Sequence, residues 1–123
     1  MDKAHLKKTA HQKARNILLK CLTPQGFRAS ALAKGYPQIW SRDNGIIALG
    51  ALCLEESELT EGVRGALMPM RAHQSERGLI QLNVMPDSGE VSTENAGAVD
   101  SNLWYIISHA FFLHATMDTN FLL

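Results

Sequence analysis

The sequence lacks an excess of charge of either sign. Its 123 residues carry twelve basic and twelve acidic side chains, so the formal net charge is zero. Nucleic-acid-binding proteins usually present a basic surface, and no nucleic-acid partner is therefore expected. The exception is a basic first helix, which is interpreted as a solvated face and contains Lys3, Lys7, Lys8 and Lys13.

Cysteine is scarce, since only Cys21 and Cys53 occur. Both lie in apolar helical stretches, which favours buried thiols in a reducing compartment over a disulfide. The residues after Met1 form no apolar run like that of a signal peptide. No uncharged apolar segment approaches the ~18 residues that a membrane span needs. A cytoplasmic protein without a membrane partner is therefore expected.

Motifs for metal and phosphate chemistry are missing as well. His109 and His114 are five positions apart on a predicted helix, which puts them on different faces. The sequence contains no His-Glu-x-x-His, no glycine-rich phosphate loop and no Cys-x-x-Cys pair. The sequence therefore predicts neither a metal site nor a cofactor.

Four helical segments are predicted from the spacing of the apolar residues. The first, Lys3 to Cys21, and the third, Leu59 to a closing Gly78, are amphipathic. The second runs from Ser41 as N-cap to about Glu55, and the fourth from Ser101 to Met117. These two are apolar on nearly every face, and a helix of that kind must be enclosed by protein.

This alternation of amphipathic and apolar helices favours two concentric layers, with the apolar helices inside. The predicted fold class is all-α, a partial α/α toroid of about two helical hairpins, in a single domain over residues 1–123. Two long loops, 22–40 and 79–99, lead into the N-termini of the two inner helices. We therefore expect those N-termini to lie at the same rim.

Side chains suited to carbohydrate binding occur in the segments that lead to this rim. Tyr36 or Trp40 can stack on a sugar ring, and Arg42 with Asp43 can hold vicinal hydroxyls. The alternative for Arg42 and Asp43 is a helix cap beside an ion pair. The residues expected to converge are Tyr36, Trp40, Arg42, Asp43, Glu94 and Asp100.

Asp100 is the candidate proton donor for cleavage of a glycosidic bond, which takes two carboxyl groups. Trp104 follows one turn later on the same helix face and is also a candidate sugar-binding residue. Its ring would give Asp100 an apolar wall, which favours the protonated carboxyl. The alternative is a plain N-cap, because a helix N-terminus stabilises the ionised form. Glu94 and Asn95 support Asp100 or are only turn residues.

Two elements, Trp40-Ser41-Arg42-Asp43 and Val99-Asp100-Ser101-Asn102-Leu103-Trp104, together resemble the opening part of (α/α)6-barrel glycoside hydrolases. The similar group is that of amylo-α-1,6-glucosidases (glycogen-debranching enzymes) and neutral/alkaline invertases, and the resemblance covers roughly residues 27–123. It implies inverting hydrolysis of α-glucosidic (debranching-type α-1,6) or sucrose-like bonds without a metal. It also implies that Asp100 is the general acid and that the first element lines the sugar pocket.

The chain departs from this family in three respects. The family has six helical hairpins, it takes its second catalytic carboxylate from a later segment, and it often has Gly-x-Ile-Pro-Asn where this chain has Gly78-Leu79-Ile80-Gln81-Leu82-Asn83. We therefore expect an incomplete catalytic domain, an N-terminal fragment that is inactive by itself. Its expected partners are a carbohydrate and either the remainder of the barrel or a self-associating copy, because an unclosed toroid exposes apolar helices.

The alternative is a non-catalytic helical interaction module, or the product of a decayed or split gene. Such a module would dock a partner through its apolar helices, with Trp40 and Trp104 as anchors rather than sugar platforms.

Overall fold

The computed structural model describes residues 2–32, 35–92 and 98–122. Glu94 and Asn95, which the sequence places near Asp100, lie outside these residues. The described elements are α1 Lys3–Cys21, β1 Leu22–Thr23, β2 Gly26–Phe27, β3 Ile39–Trp40, α2 Ser41–Leu52, α3 Ser57–Ala72, β4 Asn83–Val84, β5 Val91–Ser92, α4 Val99–Thr116 and a short 3-10 helix, Thr119–Leu122.

Helix α1 has the predicted limits, and the Asp2 carboxylate accepts a hydrogen bond from Ala4 N (3.3 Å) at its start. Its apolar stripe, however, is not packed along its length, because residues 2–14 are exposed. Only the last turns reach the core, through Leu18, Leu19 and the buried Cys21. An ion pair from Arg15 Nε to Glu56 Oε1 (2.6 Å) also holds this end.

Helices α2 and α3 depart from the predicted limits. Trp40, not Ser41, precedes α2, and no side chain caps it. The helix ends at Leu52, and Glu55 takes a positive φ of 54° in the connection to α3. Helix α3 runs through Pro69 and ends at Ala72, before the predicted Gly78, whose positive φ of 80° serves a later turn.

The core lies between α2, α3 and α4, with the β1–β2 hairpin packed on α3. The residues that fill it are apolar and almost fully buried: Phe27, Ala48, Ala51, Leu59, Val63, Ala66, Leu67, Met70 and Phe112. Small residues on α2 permit close packing there, while α3 supplies the longer side chains. Each of these three helices contacts the other two, and the most extensive contact is that of α2 with α4.

Two small antiparallel sheets make the all-α prediction only approximately right. Strands β1 and β2 form a hairpin, and β3, β4 and β5 form a three-stranded sheet. Each strand has two residues, too few to show the alternation by which a strand is recognised. The toroid remains a prediction, because the described helices do not form a ring.

Helices α2 and α4 are each covered on one side and exposed on the other, so the described chain does not supply the full enclosure that apolar helices require. On α4 only Ser101, Ser108 and Phe112 are buried, because α2 and α3 cover one side of the helix. On α2, Ile46 and Gly50 are exposed. Cys53, which follows α2, is exposed as well, so the prediction of two buried thiols holds for Cys21 only. Among the described residues, no helix has the length and apolarity required to cross a membrane.

Candidate functional site

The segment 80–84 holds the starts of α2 and α4 together. The hydroxyl of Ser41 donates to the carbonyl of Gln81 (2.6 Å), and Ser41 N donates to the carbonyl of Leu82 (3.0 Å). At the other helix, Ile80 N donates to Oδ1 of Asn102 (2.7 Å). The two helix starts are therefore fixed to one short piece of chain, as the common rim requires.

The β3–β4 ladder joins the two long loops at the same place. Ile39 pairs with Val84 and Trp40 pairs with Asn83 in antiparallel register. The loop before α2 and the loop before α4 therefore contribute adjacent strands, and the register places Trp40 directly at the start of α2.

Arg42 and Asp100 form an ion pair between the first turns of α2 and α4. Arg42 Nε lies 2.5 Å from Asp100 Oδ2, and Arg42 Nη2 lies 3.3 Å from Asp100 Oδ1. Both side chains remain accessible, with exposed fractions of 53% and 42%. This is a two-point guanidinium–carboxylate contact on an open surface, where other polar groups can reach both partners.

Asp100 is not the helix cap that the sequence also allowed. Helix α4 begins at Val99 after Ala98, and no side-chain cap bond is formed. Asp100 lies in the first turn and points to Arg42 instead. Because Arg42 pairs with Asp100, its ion pair joins α2 to α4 and does not involve its sequence neighbour Asp43.

Trp104 packs at the closest approach of α2 and α4. A Cβ atom added to Gly45 would lie 2.6 Å from Cβ of Trp104, so only glycine fits there. Because Arg42 meets Asp100 and Gly45 meets Trp104, both helices run in the same direction from the shared rim. Trp104 is half-buried and therefore serves the packing of the helices.

An aromatic pair lies next to this rim. The rings of Tyr36 and Trp40 are 6.3 Å apart with an interplanar angle of 76°, an edge-to-face arrangement. Tyr36 is exposed and Trp40 is half-buried. Within the described chain, Trp40 Nε1 is buried without a hydrogen-bond partner. Asp43 is half-buried in the first turn of α2.

Sequence reasoning missed three polar residues that lie beneath the rim. Asn44 is 97% buried, and its hydrogen bonds connect β2 and β3 to α2. Gln81 and Ser101 are also buried, and their side-chain polar atoms have no hydrogen-bond partner among the described residues. Gln81 and Ser101 adjoin the residues that anchor the two helix starts. The only signal for Asn44 was a polar residue on an otherwise apolar helix face.

Three cavities in the part of the chain that the structure describes lie away from the rim residues. One of about 640 Å³ lies between the β1–β2 hairpin and α3, and one of about 690 Å³ lies at the C-terminal ends of α2 and α4. The rim residues line neither, nor a smaller cavity of about 260 Å³ near Pro37 and Pro86. The candidate site is an open surface with adjacent aromatic and charged groups.

Three groups with displaced pKa values lie on α4 beyond its first turn or just after this helix. Burial lowers the pKa of His109, and the nearby Arg71 guanidinium lowers it further. Burial raises the pKa of Tyr105, and Arg71 offsets only part of that rise. The hydrogen bond from Arg64 holds the pKa of Asp118 below its usual range. Tyr105 lies in the first half of α4, His109 lies in the second half, and Asp118 lies in the segment that follows the helix.

Comparison with known proteins gives no relative: no family model, no curated protein and no solved structure matches the chain. The resemblance to (α/α)6-barrel glycosidases therefore depends on the two short sequence elements alone.

Proposed function

We propose that this chain is the N-terminal part of an (α/α)6-barrel glycoside hydrolase and that the rim at the starts of α2 and α4 binds an α-glucoside or a sucrose-like sugar. The observation that carries the proposal is the pairing of Arg42 with Asp100, which joins the two family-like elements at one place. The elements are 58 residues apart in sequence, so their adjacency is a property of the fold and not of local sequence.

The rim has the two kinds of group that a sugar site needs. The Tyr36–Trp40 pair offers aromatic surface for the apolar face of a ring. Arg42 and Asp100 offer donors and acceptors that sugar hydroxyls can share, and Asp43 adds a second carboxylate in the same turn as Arg42. Trp104 supports the rim by holding α4 against Gly45.

In the proposed reaction the sugar displaces Arg42 from Asp100, and the carboxyl group takes up a proton from solvent. Asp100 then donates this proton to the glycosidic oxygen as the bond from that oxygen to the anomeric carbon breaks. A second carboxylate takes a proton from water, whose oxygen bonds to the anomeric carbon from the opposite face. The resemblance places that carboxylate in a later segment. The chain therefore binds sugar but does not complete the hydrolysis by itself.

Titration with α-linked disaccharides, followed by ¹H–¹⁵N NMR, tests the binding step. The chain has two tryptophans, so each indole N–H gives one resonance that Trp40→Phe or Trp104→Phe assigns. We expect maltose, isomaltose or sucrose to shift the Trp40 resonance more than the Trp104 resonance. The absence of any saturable shift with all three sugars would refute the sugar site.

Variants at the rim sharpen this test. Trp40→Ala should weaken sugar binding by about 1–3 kcal/mol if its ring stacks on the sugar. The exposed Tyr36 provides a second variant, Tyr36→Ala, that does not disturb the fold. Phe111→Ala, an exposed aromatic on the far part of α4, is the matched control and should bind as the wild type does.

The proton-donor role of Asp100 has a different readout. In a protein that joins this segment to a second carboxylate, Asp100→Asn should abolish turnover and leave most sugar binding intact. Equal turnover in the variant would remove Asp100 from the mechanism without affecting the binding proposal.

A further inference from the structure

The outward side of α4 carries a regular apolar seam that the described chain leaves largely uncovered, with only Leu113 packed in part against the core. Its residues recur at alternating intervals of four and three, the spacing of a helix that packs along another helix: Val99, Leu103, Ile106, Ala110, Leu113 and Met117. The exposed fractions are 69% for Val99, 56% for Leu103, 64% for Ile106 and 77% for Met117. Ile107 and Phe111 flank the seam and are also exposed.

We propose that this seam, with Ile107 and Phe111, is the interface of a two-fold dimer in which α4 packs against α4 of a second copy. The dimer uses the side of α4 that further hairpins would cover in a complete barrel, so it is proposed for this chain by itself. It does not depend on sugar binding at the rim, and the sugar site can fail without affecting it.

The area of the seam fits that of one side of a dimer interface. From their exposed fractions, the apolar residues of α4 expose roughly 600 Å², the upper end of what a typical monomer shows as its largest apolar patch. A standard interface buries about 800 Å² on each partner, of which roughly 60% is apolar. The seam thus supplies the apolar part of one complete side.

The charge of α4 argues for an identical partner. Residues 101–117 contain no aspartate, glutamate, lysine or arginine. A charged partner surface would bury unpaired charges against this helix, which costs several kcal/mol per ion. A second copy brings an uncharged apolar seam of the same spacing, and a two-fold axis makes such a patch complementary to itself.

Sedimentation equilibrium of the chain over a wide concentration range tests the proposal. We expect the mass to rise from 13.6 kDa toward twice that value as the concentration increases. Ile106→Glu should raise the dimer dissociation constant by about thirtyfold or more, the effect of losing a central contact. Because Ile106 is exposed, the variant should keep the circular dichroism of the wild type.

Met68→Glu is the matched control. Met68 is also an exposed apolar helix residue, but it lines the cavity between α3 and the β1–β2 hairpin, away from the seam. The control should dimerise as the wild type does. A wild type that stays at 13.6 kDa would overturn the proposal, and so would an Ile106→Glu variant that dimerises as well as the wild type. Either result overturns it even if another protein or segment is then found to cover the seam.

Cross-linking gives an independent measurement. In a Cys53→Ser background, which removes the exposed thiol, Ile106→Cys should be joined to a second copy by a short bismaleimide. Met68→Cys in the same background should not be. Cross-linking of Met68→Cys alone would place the contact elsewhere and contradict the proposal.

Discussion

Arg64 shows how single residues hold the end of the described chain in place. Its Nη2 lies 2.5 Å from Asp118 Oδ2, and its guanidinium stacks over Phe112 and Phe121 at 5.0 and 5.2 Å from their ring centroids. Arg71 adds a hydrogen bond to the carbonyl of Phe121 (2.9 Å). Two arginines of α3 therefore fasten the segment that follows α4.

The ion pair of Arg64 and Asp118 makes stability depend on pH. The folded protein holds the pKa of Asp118 below its usual range, first through the hydrogen bond from Arg64. The unfolded chain therefore takes up a proton before the folded one does, and stability is lost as the pH falls from about 4, the ordinary carboxyl value, through the folded pKa.

We predict that Asp118→Asn lowers the melting temperature at pH 7 and reduces the loss that the wild type shows between pH 5 and pH 3. Thermal unfolding followed by circular dichroism at several pH values measures both effects. Glu76→Gln, which removes an exposed carboxylate, should leave the acid-side loss unchanged. An Asp118→Asn variant with the full acid-side loss would show that other carboxylates cause it.

At the scale of elements, the contact of α2 with α4 is set by one of the two glycines of α2, Gly45. The other, Gly50, lies beside Ala51 in the second half of the helix. In the structure the approach occurs at Gly45, against Trp104, while a Cβ atom on Gly50 would meet nothing within 4 Å.

Two alanine substitutions should therefore have opposite effects. Gly45→Ala forces α2 and α4 apart and should cost about 1–3 kcal/mol of folding free energy, more than the gain in helix propensity. Gly50→Ala adds an exposed methyl group and should stabilise the protein by about 0.5–1 kcal/mol. Urea unfolding measures both, and a destabilised Gly50→Ala together with a neutral Gly45→Ala would reverse the assignment of the contact.

At the scale of the whole molecule, Asn44 connects three parts of the chain through the hydrogen bonds of one buried side chain. Its Oδ1 accepts from Phe27 N (2.8 Å), and its Nδ2 donates to the carbonyls of Phe27 (2.8 Å) and Trp40 (3.0 Å). The β1–β2 hairpin, the loop before α2 and α2 itself are thereby joined through one side chain.

We predict that Asn44→Ala destabilises the protein by about 2–4 kcal/mol, because it leaves the backbone N–H and C=O of Phe27 without their partner in a buried place. Denaturant unfolding gives the value. Asn16→Ala is the control, since the bond of Asn16 to Gln12 (3.0 Å) is exposed, and it should change stability by less than about 0.5 kcal/mol. Similar losses in both variants would deny Asn44 its connecting role.

The sequence by itself determined the four helices and their order, because apolar spacing is a local property that each helix repeats over several turns. It also indicated that the loops before α2 and α4 lead to one rim. The tertiary structure alone decided that Arg42 pairs with Asp100, that Trp104 packs on Gly45, and that one side of α4 stays uncovered. These features join residues far apart in sequence, and no local pattern specifies which partner a side chain meets or whether one exists.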